Sequence, residues 1–302
     1  MRMDEPKAQI ALAGATGDVG GRVLSALVRR EAKVIALLRH DASASVQDAV
    51  RAKGAKPVPV DFSDAAALAV ALQGSQCVVS VLNGLEPVIL DLQGRLLDAA
   101  VAAGVQRFIP SDFSLDFTNT RPGDNRNLDL RRRFKTRLDA APIRATSVLN
   151  GAFADLLTGE APIALHPIRR VMYWGDADQP MDFTTKDDTA DYTANVALDD
   201  GAPRLLRIAG DMVSPRDLAA VMTRLDDRPW KLLRAGGMGR LSALIRIARL
   251  LTPDSDAAFP AWQGMQYIRD MASGRGKLSP LDNARYGKTD WTSAEAVLAT
   301  TV

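Results

Sequence analysis

The sequence predicts an α/β protein whose N-terminal half is a doubly wound parallel sheet. Two observations carry this prediction. Short strand-like apolar runs alternate with longer helical patterns over the first 150 of 302 residues, and three glycines spaced three residues apart follow the first apolar run. Strands separated by helices pair in parallel because the chain must cross back over the sheet, and the crossing helices cover both faces.

Six apolar runs of strand length precede residue 150. They are residues 9–13, 33–38, 57–60, 76–82, 107–110 and 145–149. Apolar residues in 19–28 recur at helical spacing, and 87–103 forms a helix closed by Gly104. Ser63 and Asp64 precede an Ala- and Leu-rich stretch that ends at Gly74, which predicts a capped helix. Residues 114–127 are predicted as a loop at the carboxyl end of the fifth strand, the edge where α/β sheets bind ligands.

The second half of the chain shows a looser pattern. Strand-like pieces occur at 170–174 and 205–209, and helical patterns at 189–198, 214–224, 238–251 and 258–271. We therefore expect residues 1–150 to form one domain and 151–302 a smaller second α/β domain. Some of the later segments are expected to return to the first sheet.

The composition excludes several classes of protein. Thirty-eight Lys and Arg against 36 Asp and Glu give a net charge of +2, too little for a field that would attract nucleic acid or an acidic membrane. A small-molecule partner is the better expectation. One cysteine, Cys77, and two histidines leave almost no material for disulfides, a zinc site or a histidine-based triad, so no metal site is predicted. Cys77 is interpreted as a buried strand residue rather than a reactive thiol.

The segment 1–14 has acidic residues before a short apolar run, which does not resemble a signal peptide. Arg or Asp interrupts every apolar window before it reaches the roughly 18 residues of a membrane span. We therefore expect a cytoplasmic protein, either a monomer or a homodimer, without a membrane partner.

The glycine turn carries the cofactor prediction. Gly14, Gly17 and Gly20 lie where the first strand gives way to a helix, together with Thr16, Asp18 and Val19 in the segment 14–20, GATGDVG. Glycine at these positions permits a tight turn, a close approach of backbone N–H groups to a pyrophosphate and close packing of helix on strand. The N-terminus of the helix adds partial positive charge.

The residue after the second strand selects the form of the dinucleotide. Arg39 stands where an NAD-binding protein would place Asp or Glu for the ribose hydroxyls, and a guanidinium matches a 2′-phosphate instead. NADP(H) is therefore the predicted cofactor, although Arg39 could also be a solvated strand-end charge. Five further residues are expected on the adenine and ribose side: Asp61 and Phe62 after the third strand, and Leu82, Asn83 and Gly84 after the fourth.

Four segments together resemble a known family. They are 14–20 (GATGDVG), 37–40 (LLRH), 107–114 (RFIPSDFS) and 134–153 (FKTRLDAAPIRATSVLNGAF). In this order they are similar to the NmrA-like atypical short-chain dehydrogenases/reductases, in particular the isoflavone reductase and pinoresinol reductase group. The resemblance implies a Rossmann-type domain, a smaller C-terminal substrate domain, NADPH as hydride donor and an active-site lysine at Lys135. Asp112 stands where that group has Glu, and Ser114 replaces a glycine.

The site residues at the nicotinamide end follow from the same resemblance. Lys135 is expected to donate a proton to a carbonyl or quinone-methide oxygen, with the pKa of its ammonium group lowered by the arginines at 131–133. Ser111, Asn150 and Phe153 should line the cleft. Composition alone would make Lys135 a surface lysine, and Phe153 could be plain core. None of the four tyrosines has a lysine four residues later, so the usual Tyr-x-x-x-Lys pair is absent.

Two classes of function fit these residues. The first is an NADPH-dependent reductase of a small aromatic, phenolic or quinone-type substrate. The alternative is a redox-sensing regulatory protein, similar to NmrA, that binds dinucleotide without turnover. A redox-neutral isomerase or lyase that keeps the cofactor is a third possibility. The identity of the substrate does not transfer, because the C-terminal third matches the group only loosely.

Overall fold

The computed structural model describes residues 8–159, 161–252 and 257–301. The described residues form two compact units. The first contains those of Met1–Asp112, Leu130–Val148 and Thr189–Leu206, and the second those of Phe113–Asp129, Leu149–Asp188 and Arg207–Val302. The predicted division into 1–150 and 151–302 stays a prediction. Residues 1–7, on which the signal-peptide expectation partly rests, lie outside the described residues.

A six-stranded sheet forms the centre of the first unit. Its strands are β1 (Gln9–Ala13), β2 (Lys33–Arg39), β3 (Lys56–Val60), β4 (Cys77–Ser80), β5 (Arg107–Ile109) and β6 (Arg144–Ala145). All neighbours pair in parallel, in the order β3-β2-β1-β4-β5-β6. The predicted doubly wound Rossmann-type sheet is therefore confirmed. The strand order reverses between β1 and β4, and this switch point is where such sheets bind ligands.

The remaining strands are short. They are β7 (Ser147–Leu149), β8 (Ala152–Phe153), β9 (Ala164–Leu165), β10 (Arg170–Trp174), β11 (Met181–Thr184), β12 (Leu205–Arg207), β13 (Asp211–Val213) and β14 (Lys231–Gly236). They form two three-stranded sheets, β14-β10-β9 and β13-β11-β8, and the pair β12-β7. Several have only two or three residues, too few for an alternating pattern to be recognised in the sequence.

Ten α-helices lie within the described residues. They are α1 (Asp18–Arg29), α2 (Ala44–Ala52), α3 (Ala65–Leu72), α4 (Gln93–Ala102), α5 (Arg126–Ala140), α6 (Lys186–Leu198), α7 (Pro215–Asp226), α8 (Met238–Leu251), α9 (Ala261–Ala272) and α10 (Ala294–Leu298). The predicted cap of α3 is confirmed, because Asp64 accepts hydrogen bonds from the N–H groups of Ala66 and Ala67 at 3.0 and 2.9 Å. In the described part of the chain, no helix is both long and apolar enough to cross a bilayer.

Two predicted elements are interrupted. The helix predicted at 87–103 begins with a π-helical segment, Pro87–Leu92, before α4. The strand predicted at 145–149 divides into β6 and β7 because neighbouring residues choose different partners. The N–H of Thr146 donates to the Phe108 carbonyl at 3.1 Å, whereas that of Ser147 donates to the Arg204 carbonyl at 2.9 Å. The apolar run 145–149 has the pattern of one continuous strand, so it cannot reveal this change of partner.

Each unit has its own hydrophobic core. In the first, the apolar side chains of the sheet meet those of its helices, with the rings of Phe108 and Phe134 6.2 Å apart. In the second, Phe117, Phe183 and Trp230 are among the buried side chains. Cys77 is fully buried in β4, and burial raises the pKa of its thiol to about 12, which confirms that it is a core residue.

Candidate dinucleotide site and active site

The turn between β1 and α1 leads into a helix whose N-terminus has no side-chain cap. Gly14 has φ +90°, and the N–H of Gly17 closes the turn on the Gly14 carbonyl at 3.0 Å. Gly17 then caps α1 without any side-chain hydrogen bond, and Thr16, Gly17 and Asp18 are exposed. The first N–H groups of a helix have no partner within it, so this end offers donors and partial positive charge to an anion.

The turn is also too tightly packed for any side chain at two of its glycines. A Cβ on Gly20 would lie 1.9 Å from the Gly14 carbonyl oxygen, and a Cβ on Gly14 would lie 2.5 Å from that of Val81, just after β4. Both obstacles are backbone atoms, which cannot rotate away. The glycine pattern therefore holds α1 against the carboxyl ends of β1 and β4, at the switch point of the sheet.

The ends of β2 and β3 place Arg39 and Asp61 at one edge. Arg39 pairs in register with Val60, so Asp61 follows directly at the neighbouring strand end. The Arg39 side chain is 84% exposed, and its guanidinium lies 3.6 Å from the Asp41 carboxylate. Asp61 accepts hydrogen bonds from the N–H and hydroxyl of Ser63 at 2.7 Å each, and these lower the pKa of its carboxyl group. Phe62 is half-buried beside the core.

The loop after β4 is fixed at its start. The Ser111 hydroxyl donates to the Leu82 carbonyl at 2.6 Å, and the N–H of Ser111 donates to Oε1 of the buried Gln93 at 2.9 Å. Asn83 is exposed and Gly84 is half-buried. The structure thus brings together the predicted residues 82–84 and Ser111 at the carboxyl ends of β4 and β5.

Asp112 does not cap the turn that follows it. It is fully buried and accepts a hydrogen bond from the Ser147 hydroxyl at 2.6 Å. Burial raises the pKa of Asp112, and the Ser147 hydrogen bond and the charges of Arg131 and Arg204 oppose the rise. Asp116 does cap its own turn, accepting from the N–H and hydroxyl of Thr118 at 3.0 and 2.5 Å.

Lys135 lies on α5 in an environment that the sequence did not predict. Its ammonium group is 2.5 Å from Oδ2 of Asp139, one turn later on the helix, and its side chain is 27% exposed. Arg133 instead forms a bidentate pair with Glu86 at 3.0 and 2.7 Å. Arg131, one turn before Lys135, is buried and lowers the pKa of Asp112. The partner of Lys135 in these contacts is therefore the carboxylate of Asp139, and not the expected cluster of arginines.

Asn150 and Phe153 belong to the second unit. Asn150 is fully buried. Its N–H donates to the Ser114 carbonyl, and its carbonyl accepts from the Thr184 hydroxyl. Both polar atoms of its side chain, however, lack a hydrogen-bond partner among the described residues. A buried amide without partners costs about 1–3 kcal/mol, which a bound polar group would recover. Phe153 is half-buried. In the described ranges, no group of three or more His, Cys, Asp or Glu could hold a metal ion.

Sequence reasoning missed three residues near Lys135, namely Asp139, Ser147 and Arg204. Asp139 could have been found from its spacing of four residues on the same helix face. Ser147 and Arg204 carry no local signal, because the turn from β6 to β7 and the connection after α6 bring them together.

The strand order and the glycine turn define a class, the proteins with a Rossmann-type fold. Residues 6–232 match the model of the NmrA-like family. The chain therefore belongs to the NmrA-like family, and the resemblance seen in the sequence is confirmed.

Named relatives and a solved structure agree with this assignment. Pinoresinol reductase 1 of Arabidopsis thaliana is 27% identical over 236 residues, which span 73% of this chain and 72% of that protein. An isoflavone reductase homolog, IRL, of Zea mays is 32% identical over 210 residues, 66% of each chain. The structure of AtPrR2 with NADP+ and (+)-pinoresinol covers 99% of this chain and is itself covered completely, with a TM-score of 0.83 at 21% identity. At that identity the structural match establishes the fold.

Proposed function

We propose that this protein is an NADPH-dependent reductase that transfers hydride to a small aromatic substrate of phenolic or quinone type, with Lys135 as the proton donor. Relatives named as pinoresinol and isoflavone reductases support the reaction class. The cofactor is supported by the solved neighbour with bound NADP+ and by the exposed Arg39.

The uncapped N-terminus of α1 is the observation that carries the proposal. The backbone is so close at Gly14 and Gly20 that a Cβ there would clash with carbonyl groups of the chain, and Gly17 caps the helix without a side-chain hydrogen bond. These features fit the pyrophosphate of a dinucleotide. Arg39 would hold the 2′-phosphate through its forked donors. Ser111 and the residues at 61–62 and 82–84 supply polar and apolar groups for the rest of the cofactor.

The protein's own contribution to the reaction is to orient the reactants and handle the proton. NADPH, when bound, supplies the hydride. The Lys135 ammonium has three donors, of which one is bonded to Asp139, so two remain for a developing oxyanion. The buried amide of Asn150 is the proposed partner for a polar group at the nicotinamide end, and Phe153 for the apolar surface of the ring.

The first test is NADPH oxidation by the purified protein across quinones, enones and lignan-like phenolics, with binding of NADPH and NADH measured on the same sample. Turnover of an aromatic acceptor with preference for NADPH is expected. Tight binding of NADPH without turnover of any acceptor would contradict the reductase proposal and support a dinucleotide sensor.

Lys135→Ala tests the proton donor. We expect NADPH affinity near that of the wild type and a fall in kcat of about 100-fold, the usual contribution of a general acid. Arg137→Ala is the matched control, because Arg137 lies two residues later on α5 and pairs with Asp98 at 2.6 Å. Equal kcat values for Lys135→Ala and the control would remove Lys135 from the mechanism.

A further inference from the structure

A continuous chain of side-chain hydrogen bonds runs through the first unit from Asp112 to Lys135. Asp112 accepts from the Ser147 hydroxyl at 2.6 Å, and Ser147 accepts from Nη1 of Arg204 at 2.8 Å. Nε of Arg204 donates to Oδ1 of Asp139 at 2.7 Å, and Lys135 donates to Oδ2 of the same carboxylate at 2.5 Å. We call Asp139 and Arg204 together the lysine clamp.

The clamp differs from the other ion pairs of α5. Arg133 pairs with Glu86 and Arg137 with Asp98, and in each pair both side chains are about half exposed. Exposed pairs of this kind contribute little to stability. Asp139 instead binds two cations from different elements, and the second of these, Arg204, is itself fixed through the fully buried Ser147. The carboxylate of Asp139 is therefore held by a residue, Arg204, that lies outside α5.

The charges of the clamp keep Asp139 ionised. Partial burial tends to raise the pKa of its carboxyl group, but hydrogen bonds from Lys135 and Arg204 outweigh that effect and the pKa is lowered. Arg204 has a planar fork of donors, so its bonds to Asp139 and Ser147 fix the direction of its guanidinium. Arg131, one turn before Lys135 on α5, is a further charged group that acts on the buried Asp112.

We propose that Asp139 and Arg204 are positioning residues that hold the Lys135 ammonium for proton transfer, an inference that rests on the proposed reductase function. A free lysine side chain has many rotamers and must lose that freedom before it can act on a bound substrate. A carboxylate that is itself immobile removes most of this freedom in advance. The two remaining N–H groups of the ammonium then point in restricted directions, and small errors in such placement are costly to the rate.

Asp139→Asn tests the clamp in the full-length protein, with the aromatic acceptor that the wild type reduces fastest. We expect kcat to fall about 10-fold or more while KM for NADPH changes by less than about twofold, because Asp139 is not among the residues proposed to bind the cofactor. Asp139→Glu should recover part of kcat, and Asp98→Asn, which breaks another ion pair of α5, should behave as the wild type.

A second measurement does not need turnover. The rate at which an amine-acylating reagent modifies Lys135, followed by mass spectrometry, should rise about two- to fivefold in Asp139→Asn and in Arg204→Met but not in Asp98→Asn. An unchanged acylation rate together with an unchanged kcat would overturn the proposal that Asp139 and Arg204 position Lys135. If the wild type reduces no acceptor but the acylation rates change as expected, the reductase function fails while the placement of Lys135 by Asp139 stands.

Discussion

Gly20→Ala is the most direct test of the cofactor site, because the structure gives the size of the conflict. The added Cβ would lie 1.9 Å from the Gly14 carbonyl oxygen and 2.7 Å from its carbon. A carbon and an oxygen that are not bonded to each other require about 3.3 Å or more, as in the shortest C–H···O contacts. The turn and the first residues of α1 must therefore separate by more than about 1 Å.

The expected loss follows from the contacts that such a shift would break. Overpacking against backbone costs about 1–3 kcal/mol of stability. A displacement of 1 Å moves N–H donors out of hydrogen-bonding range of a phosphate oxygen, and each charge-assisted bond contributes about 1.5–3 kcal/mol. Loss of two such bonds weakens NADPH binding by at least about 100-fold, since 1.4 kcal/mol corresponds to a factor of ten.

The assay is NADPH binding by fluorescence titration, with urea unfolding of the same samples. Gly21→Ala is the matched control, because its Cβ would lie 3.2 Å from the tip of the exposed Lys53 side chain, which can move away. That control should bind normally and gain up to about 1 kcal/mol from helix propensity. NADPH affinity of Gly20→Ala within about threefold of the wild type would refute the proposed phosphate site, since two lost bonds predict a far larger effect.

Three further substitutions test separate parts of the first unit. Arg39→Ala should weaken NADPH binding about 10-fold or more and leave NADH binding unchanged, because only NADPH has a 2′-phosphate; equal losses in titrations of both would contradict the assignment. The pKa of Asp112 is raised above its ordinary value of 3.8 in the folded protein. Its contribution to stability is therefore present below pH 3.8 and is lost as the pH rises through the pKa of the folded protein. Asp112→Asn, which keeps an acceptor for Ser147, should therefore gain stability relative to the wild type in urea unfolding between about pH 4 and 7, and a constant difference would refute this. Asp64→Ala should lower the free energy of unfolding by about 1 kcal/mol through loss of the α3 cap, and an unchanged urea midpoint would show that solvent replaces the cap.

Much of the first unit could be predicted because its signals are local. An apolar run such as 9–13 is typical of a buried strand in a parallel sheet. The glycines at 14 and 20 meet a steric requirement that the neighbouring backbone imposes. The Asp64 cap likewise depends on residues within one helical turn. The second unit has fewer local signals, since a strand as short as β8 forms only when a distant segment, β11, pairs with it.

The parallel sheet, the glycine turn and the family follow from the sequence alone, because spacing and residue type decide these over a few neighbouring positions. The surroundings of the charged residues depend instead on the tertiary structure. It buried Asp112 against Ser147, turned Arg133 towards Glu86, and brought Arg204 to Asp139 from 65 residues away. The partner of a long charged side chain depends on which elements pack together, and no local pattern encodes that choice.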